Sequence, residues 1–372
     1  MPQHRPPFNV PPGEVAKVSI IDSSARLGKL AASHLCRPPV DGFETLQTMP
    51  TWSFLIESPS GKKALFDLGV HVDLTKYIPR TQNNIKKNGW EIEAKEHVSD
   101  IIRRHGVDPK EINSVIWSHS HFDHLGDITT FPPSTELVVG PGFKDVAGPG
   151  YPTKEDAPVT HEDISGRDVR EITFSSHGPK AGDFPAHDFF GDGSFYLLDT
   201  PGHCIGHIAG LARTSKGADG HQRSNSSSSD GAAADSFILM GGDLTHHGGE
   251  LRPSKYLPLP DELPSEAVGG GTGKSLSGAV FRELNVRRGR RPDQTFVDPV
   301  LIVDEKLSDQ TIERAQVADA DPNVWYVMAH DTALFEGIDL FPEQANDWRA
   351  QGWKDKTMWK FLEDYLPAVS DK

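Results

Sequence analysis

The chain has 372 residues, enough for one large domain or two of ordinary size. It carries 38 lysine and arginine residues against 53 aspartate and glutamate residues, which gives a formal net charge of −15. This acidic balance would repel nucleic-acid phosphates and argues against a nucleic-acid partner. The two cysteines, Cys36 and Cys204, are too few for disulfides to stabilise a chain of this size.

The beginning of the chain, residues 1–12, is polar and proline-rich and lacks the apolar core of a secretory signal. No stretch of the sequence approaches the roughly 20 apolar residues of a membrane span. We therefore expect a cytoplasmic protein with no membrane partner.

The first elements are predicted from runs of apolar and β-branched residues. Such runs predict strands over 15–21, 52–57 and 63–66, and the turn Ser58-Pro59-Ser60-Gly61 predicts that the last two form a hairpin. Apolar residues then recur at helical spacing, which predicts a helix over 92–105 that ends at Gly106.

Four later strands each end shortly before a residue that can bind a metal. The predicted strands and the residues that follow them are 114–117 with His119, 194–198 with His203, 236–240 with Asp243, and 324–328 with His330. A rigid sheet that presents these loops on one side would bring the four side chains to one site.

Three segments between the predicted strands are unusual in composition or length. Residues 214–235 are rich in serine, glycine and alanine and cannot bury a core, so they predict a flexible insertion. A second flexible insertion is predicted over 264–278, around Gly269-Gly270-Gly271. The segment 252–297 is long for a connection and predicts a lid beside the site. Its Tyr256, Leu257 and Leu259 are candidates for an apolar substrate wall, with core packing as an equal alternative.

Three imidazoles and a carboxylate fall within six positions of the chain, at His119, His121, Asp123 and His124. His119 and His121 are two residues apart, so in an extended segment they point the same way and can share one metal. Asp123 and His124 follow a bend and can turn toward a second metal. Imidazole and carboxylate are ligands that zinc accepts. A polar loop that happens to be rich in histidine is the alternative, but so dense a match is rare by chance.

A strand followed by His-x-His-x-Asp-His is the signature of the metallo-β-lactamase fold superfamily, which this chain resembles over nearly its whole length. The other matching motifs are Leu65-Phe66-Asp67-Leu68-Gly69, Thr200-Pro201-Gly202-His203, Gly242-Asp243 and Ala329-His330-Asp331. The resemblance implies an α/β fold, a four-layer αββα sandwich of two mixed β-sheets flanked by helices. It also implies a single domain over 1–372.

The resemblance further implies a site for two Zn²⁺ ions, or for other divalent metals. The first ion would be held by His119, His121 and His203, the second by Asp123, His124 and His330, with Asp243 bridging the two. Asp67 is expected to orient a ligand histidine through its other ring nitrogen. His207 is expected to lie behind the ligands.

The layout most resembles the lactonase-like branch, whose better-known members open N-acyl homoserine lactones. This resemblance implies that metal-bound hydroxide attacks the carbonyl of a cyclic ester or cyclic amide, while Asp123 carries a proton to the leaving atom. In that branch a tyrosine commonly lies three positions after the bridging aspartate. Here that position is His246, which either takes over the donor role or indicates a different substrate.

Other functions stay open at this point. One is the hydrolysis of benzoxazolinone-type lactams in xenobiotic detoxification. Another is a glyoxalase II-like thioester hydrolase, for which Arg252 and Lys255 would bind the thioester's carboxylates. An iron-dependent oxygenase of the same fold is a further alternative, which metal analysis would expose. The expected partner is a small molecule, and association into a homodimer is left open.

Overall fold

The structure, a computed structural model, describes residues 4–217, 234–264, 268 and 275–370. The strands of these segments are β1 (Lys17–Asp22), β2 (Arg26–Gly28), β3 (Cys36–Arg37), β4 (Trp52–Glu57), β5 (Lys63–Phe66), β6 (Glu91–Glu93), β7 (Ile112–Ile116), β8 (Glu136–Val139), β9 (Val169–Glu171), β10 (Lys180–Ala181), β11 (Phe184–Asp188), β12 (Phe195–Asp199), β13 (Ile208–Ser215), β14 (Ser236–Met240), β15 (Glu262–Leu263), β16 (Leu276–Ser277), β17 (Asp298–Pro299) and β18 (Val324–Val327). The α-helices are α1 (Pro79–Asn88), α2 (Val98–Arg104), α3 (Phe122–Leu125), α4 (Phe143–Ala147), α5 (His161–Ile164), α6 (Gly248–Leu251), α7 (Gly278–Arg287), α8 (Glu305–Asp319), α9 (Trp353–Thr357) and α10 (Leu366–Ser370).

Two six-stranded sheets form the centre of the fold. The first has the order β1-β4-β5-β7-β8-β9, antiparallel in its first two pairings and parallel in the rest. The second has the order β10-β11-β12-β13-β14-β18, antiparallel except for the last pair. Both sheets are mixed, as predicted.

Side chains alternate between two cores along each central strand. In β12, Phe195 and Leu197 pack between the two sheets, whereas Tyr196 and Leu198 pack on the outer face with residues of α8. In β7, Ile116 faces the core between the sheets and Val115 faces the outer core that includes α2. This period of two places each sheet between the other sheet and a helical layer. The four-layer αββα sandwich is confirmed.

The predicted hairpin corresponds to β4 and β5. Gly61 lies in its turn with a φ of +84°, a conformation that residues with a side chain rarely adopt. The helix predicted over 92–105 is wrong at its beginning, because Ile92 lies in β6 and pairs with Leu27 of β2. Ile92 lies between the more exposed Glu91 and Glu93, an alternation typical of a strand, and α2 begins at Val98.

The two predicted insertions lie largely outside the described residues. Residues 218–233 separate the neighbouring antiparallel strands β13 and β14. In the second insertion, 265–267 and 269–274 are outside the described part, but regular structure resumes before the predicted end, because β16 pairs with β15 and α7 begins at Gly278. Among the described residues, no helix combines the length and apolar character needed to span a bilayer.

Candidate active site

All seven predicted metal ligands meet at one end of the sandwich. The loop and short helix after β7, in the first sheet, carry four of them, and the loops after β12, β14 and β18, in the second sheet, carry one each. Six of the seven side chains are buried and His121 is half-buried. The ligand atoms fall into two groups, which are His119, His121, His203 and Asp243 in the first, and Asp123, His124 and His330 in the second.

The first group has the dimensions of a tetrahedral metal site. The Nε2 atom of His203 lies 3.2 Å from Nε2 of His119 and 2.9 Å from Nδ1 of His121. Oδ2 of Asp243 lies 3.5 Å from Nε2 of His119 and 3.6 Å from Nε2 of His203. Ligands at about 2.1 Å from a tetrahedral zinc ion would be about 3.4 Å apart, so these spacings suit one ion.

The second group is built around the other oxygen of Asp243. Oδ1 of Asp243 lies 3.1 Å from Nε2 of His124 and 3.1 Å from Nε2 of His330. Oδ2 of Asp123 lies 3.5 Å from Nε2 of His330 and 3.9 Å from Nε2 of His124. The two oxygens of one carboxylate therefore face two separate groups of ligand atoms, as a bridging ligand requires.

Unpaired buried atoms give an independent test of whether these residues suit metal ions. Nε2 of His124 and Oδ1 of Asp243 are buried and have no hydrogen-bond partner. Leaving such a group unsatisfied costs about 1–3 kcal/mol, a cost that a bound cation would remove. Burial and neighbouring histidines lower the pKa of His119 and His203 well below the ordinary value. The neutral imidazole that binds metals is thereby favoured in the first group, and the unpaired atoms of His124 and Asp243 fit a second cation.

Asp67 supports the second group from behind. Its Oδ2 lies 2.8 Å from Nδ1 of His124, and its Oδ1 accepts the Ser118 backbone N–H at 2.7 Å. Asp67 adopts a left-handed conformation, with a φ of +59°, at the end of β5. Its carboxylate therefore fixes the ring of His124 so that Nε2 faces Asp243.

His207 lies behind the ligands and does not join them. Its Nε2 accepts the backbone N–H of Asp243 at 3.1 Å, and its Nδ1 lies 3.0 Å from the carbonyl oxygen of Thr200. Burial lowers the pKa of His207 to about 4, so the ring is neutral and can accept this hydrogen bond. His207 thus holds the backbone at Asp243.

His246 lies beside the two groups, with Glu250 on the other side of its ring. Nε2 of His246 is 3.4 Å from Oδ2 of Asp243, and Oδ1 of Asp243 faces away from it toward the second group. Oε2 of Glu250 accepts the His246 backbone N–H at 3.0 Å and lies 3.9 Å from ring Nδ1. Burial lowers the pKa of His246, but Asp243 and Glu250 outweigh it and raise the pKa to about 10. The sequence prediction missed Glu250, although its spacing of four from His246 is a recognisable signal.

A cavity of about 340 Å³ opens onto the two groups. Its floor includes Asp123, His246 and His330, and helix α1 contributes polar side chains to its rim. Its apolar walls are formed by Leu27, Leu30, Leu35, Met49, Trp90 and Leu301. None of these wall residues was a sequence candidate.

The sequence candidates for the substrate wall lie elsewhere. Tyr256, Leu257 and Leu259 do not line the cavity, and Leu259 is buried in the core that contains α2. For Leu257 and Leu259, the structure favours core packing over the substrate wall. No described residue of 252–297 lines the cavity, so the lid stays a prediction.

Comparison with known proteins places this site in a family. A model of the metallo-beta-lactamase superfamily matches residues 46–214. Gamma-lactamase FDB1 of Fusarium pseudograminearum is 40% identical in an alignment that covers 97% of this chain and 86% of FDB1. The chain belongs to the metallo-beta-lactamase superfamily.

Two further similar proteins agree with this assignment. Metallo-hydrolase mfmC of Annulohypoxylon moriforme is 38% identical over 99% of this chain and 92% of its own length. The crystal structure of B. thuringiensis AiiA with N-decanoyl-L-homoserine bound matches with a TM-score of 0.54 at 16% identity, over 89% of this chain and 99% of AiiA. That match shows the shared fold. The chain is thus a hydrolase of the metallo-beta-lactamase superfamily, and the predicted enzyme class is confirmed.

Replacing Asp67 with asparagine in this superfamily member should weaken metal binding by about 10–100-fold. The amide keeps an oxygen for the Ser118 N–H, and asparagine tolerates the left-handed backbone, but the negative charge facing His124 is lost. Competition with a chromophoric chelator would measure the change. Asp108→Asn is the matched control, because Asp108 is an exposed cap of a short 3-10 helix. Equal metal affinity in the Asp67 and Asp108 variants would contradict the prediction.

Proposed function

We propose that this hydrolase binds two divalent metal ions, most simply zinc, and opens cyclic amides or cyclic esters. The observation that carries the proposal is the division of the Asp243 carboxylate between two groups of ligand atoms. His119, His121 and His203 would hold one ion, and Asp123, His124 and His330 the other. When bound, two such ions lower the pKa of a water between them and polarise a substrate carbonyl.

Asp123 is the proposed proton carrier. It lines the cavity, and its Oδ2 faces the imidazoles of His124 and His330. A carboxylate at this place can take a proton from the attacking water and deliver it to the leaving nitrogen or oxygen. General acid–base catalysis of this kind contributes about 10²–10⁴-fold to a rate.

His246 is the proposed hydrogen-bond donor to the substrate. Its side chain is 2% exposed, it lines the cavity, and neither ring nitrogen has a hydrogen-bond partner. Glu250 lies on the Nδ1 side of the ring, which leaves Nε2 on the side of Asp243. A substrate oxygen near Nε2 would satisfy this buried donor. His246 would thus serve where the lactonase-like branch commonly has a tyrosine.

The cavity supports a compact, largely apolar substrate. Its volume of about 340 Å³ is at the lower end of the roughly 300–1,000 Å³ of small-molecule sites. Its apolar walls suit a hydrocarbon or aromatic ring attached to the reacting amide or ester. The similarity to gamma-lactamase FDB1 supports cyclic amides, and we include benzoxazolinone-type lactams in this class.

The thioester alternative receives no support from the two basic residues that suggested it. Arg252 is buried and forms a bidentate pair with Asp319, with N–O distances of 2.7 and 2.6 Å. Lys255 pairs with Glu313 at 2.5 Å, and neither Arg252 nor Lys255 lines the cavity. Both positive charges are already neutralised away from the proposed site.

A substrate panel tests the proposed function. The zinc-loaded protein would be incubated with γ-lactams, benzoxazolinone, γ-lactones and thioesters, and ring opening would be followed by chromatography. We expect turnover of at least one lactam or lactone, its loss after chelation, and its recovery when Zn²⁺ is added. Turnover of thioesters alone would overturn the substrate class. Full activity in protein shown to be metal-free would overturn the role of the metals.

A further inference from the structure

A second group of metal-binding side chains lies outside the proposed active site. It consists of His71, which follows β5, His97, which precedes α2, and Asp127, which follows α3. Nε2 of His71 lies 3.3 Å from Oδ2 of Asp127, and Nε2 of His97 lies 3.9 Å from the same oxygen. These distances are close to the edge of about 3.4 Å expected between ligands of a tetrahedral zinc ion.

The carboxylate of Asp127 is already oriented toward the two histidines. Its Oδ1 accepts the backbone N–H of Thr129 at 2.9 Å and the Thr129 hydroxyl at 2.6 Å. These bonds fix the carboxylate and leave Oδ2 on the side of His71 and His97. Outer hydrogen bonds of this kind hold a ligand in the geometry that a metal needs.

The two imidazoles are mostly buried but can still be reached by solvent. Their rings meet edge to face with centroids 5.0 Å apart, and the side chains of His71, His97 and Asp127 are 12%, 17% and 16% exposed. Burial lowers the pKa of His97, which favours the neutral ring. Three protein ligands are thus in place, and solvent can supply a fourth.

We propose that His71, His97 and Asp127 form a third divalent-metal site, suited to a cation of intermediate hardness such as Zn²⁺. Nδ1 of His71 accepts the Asp73 N–H at 2.9 Å, so the metal-free ring carries its proton on Nε2. When a metal binds at Nε2, the ring proton moves to Nδ1, which can then no longer accept a hydrogen bond. The Asp73 N–H would donate to water instead, because Asp73 is exposed.

This third site would join two segments that carry active-site residues. His71 lies four residues after Asp67, and Asp127 lies two residues after the end of α3, the short helix that holds Asp123 and His124. Tyr77 already links the same segments, because its hydroxyl accepts the His71 N–H at 2.6 Å and donates to the Phe122 carbonyl at 2.7 Å. An ion at the third site would hold these two segments together beside the active site.

Metal counting tests the third site. Protein saturated with Zn²⁺ would be desalted, and its zinc content measured by mass spectrometry for the wild type, His97→Ala and Asp127→Asn. We expect both variants to hold one equivalent less than the wild type. Asp127→Asn keeps an oxygen for Thr129, so it serves if His97→Ala fails to fold. The matched control is His105→Ala, an exposed histidine at the end of α2, which should retain the wild-type content.

The outcomes separate this site from the proposed active site. In an Asp243→Ala background, adding His97→Ala should still remove one equivalent, whatever becomes of the active-site metals. Equal zinc content in the wild type, His97→Ala and Asp127→Asn would overturn the proposal. Loss of the same equivalent in His105→Ala would also overturn it, because it would indicate zinc uptake by surface histidines in general.

Discussion

Asp243→Ala should release metal from the protein and lower kcat/KM for ring opening by at least about 10³-fold. Its two oxygens lie between the two groups of ligand atoms, so one truncation removes a ligand from both. The two ions would then lack the carboxylate that offsets part of their positive charge. Zinc content by mass spectrometry and turnover of the substrate identified in the panel would measure the two effects.

Asp261→Ala is the control for this substitution, since Asp261 has a side chain that is 94% exposed and forms a surface pair with Arg282. It should leave metal content and turnover unchanged. Circular dichroism would establish that the Asp243 variant is folded. A folded Asp243→Ala protein that retains its zinc and its activity would refute the bridging role.

Asp123→Asn should reduce turnover by about 10²–10⁴-fold while the fold survives. The amide has the shape of the carboxylate and can still offer an oxygen to a cation, but it cannot accept and deliver a proton. The side chain of Asp123 faces the cavity, and the amide has nearly the same volume, so little loss of stability is expected. Steady-state kinetics on the metal-loaded variant would give kcat and KM separately.

Asp145→Asn, an exposed aspartate of α4, provides the comparison for this second substitution and should behave as the wild type. We expect the loss in Asp123→Asn to lie mainly in kcat, because proton transfer belongs to the chemical step. Undiminished kcat in a fully metal-loaded Asp123→Asn protein would exclude Asp123 as the proton carrier.

The candidate ligands could be predicted because their signals are local. His119, His121, Asp123 and His124 lie within six positions, and His203, Asp243 and His330 each follow a strongly apolar strand. These strands belong to two sheets: β7 lies in the first, and in the second β14 pairs with β18 while β13 separates it from β12. The loops that follow them nevertheless meet at one end of the sandwich. Strands β4, β5 and β14 have the predicted bounds, because their ends are marked by turn residues.

The surroundings of the site could not be predicted in the same way. The cavity walls come from segments as distant as Leu27, Trp90 and Leu301, whose apolar side chains are indistinguishable in sequence from core residues. His71, His97 and Asp127 likewise meet only through the packing of separate loops. The beginning of the helix predicted over 92–105 was wrong because pairing with β2 outweighed the helical spacing of Ile92.

The proposed ligands come from both sheets of the sandwich, four from the first and three from the second. A pair of ions held between them would cross-link the two halves of the domain at one end. Metal binding would then stabilise the folded state, since a ligand at about 100 times its Kd adds about 2.7 kcal/mol per site to the free energy of unfolding. The melting temperature should therefore rise with the concentration of free zinc, and a shortage of zinc should lower the free energy of unfolding together with the activity.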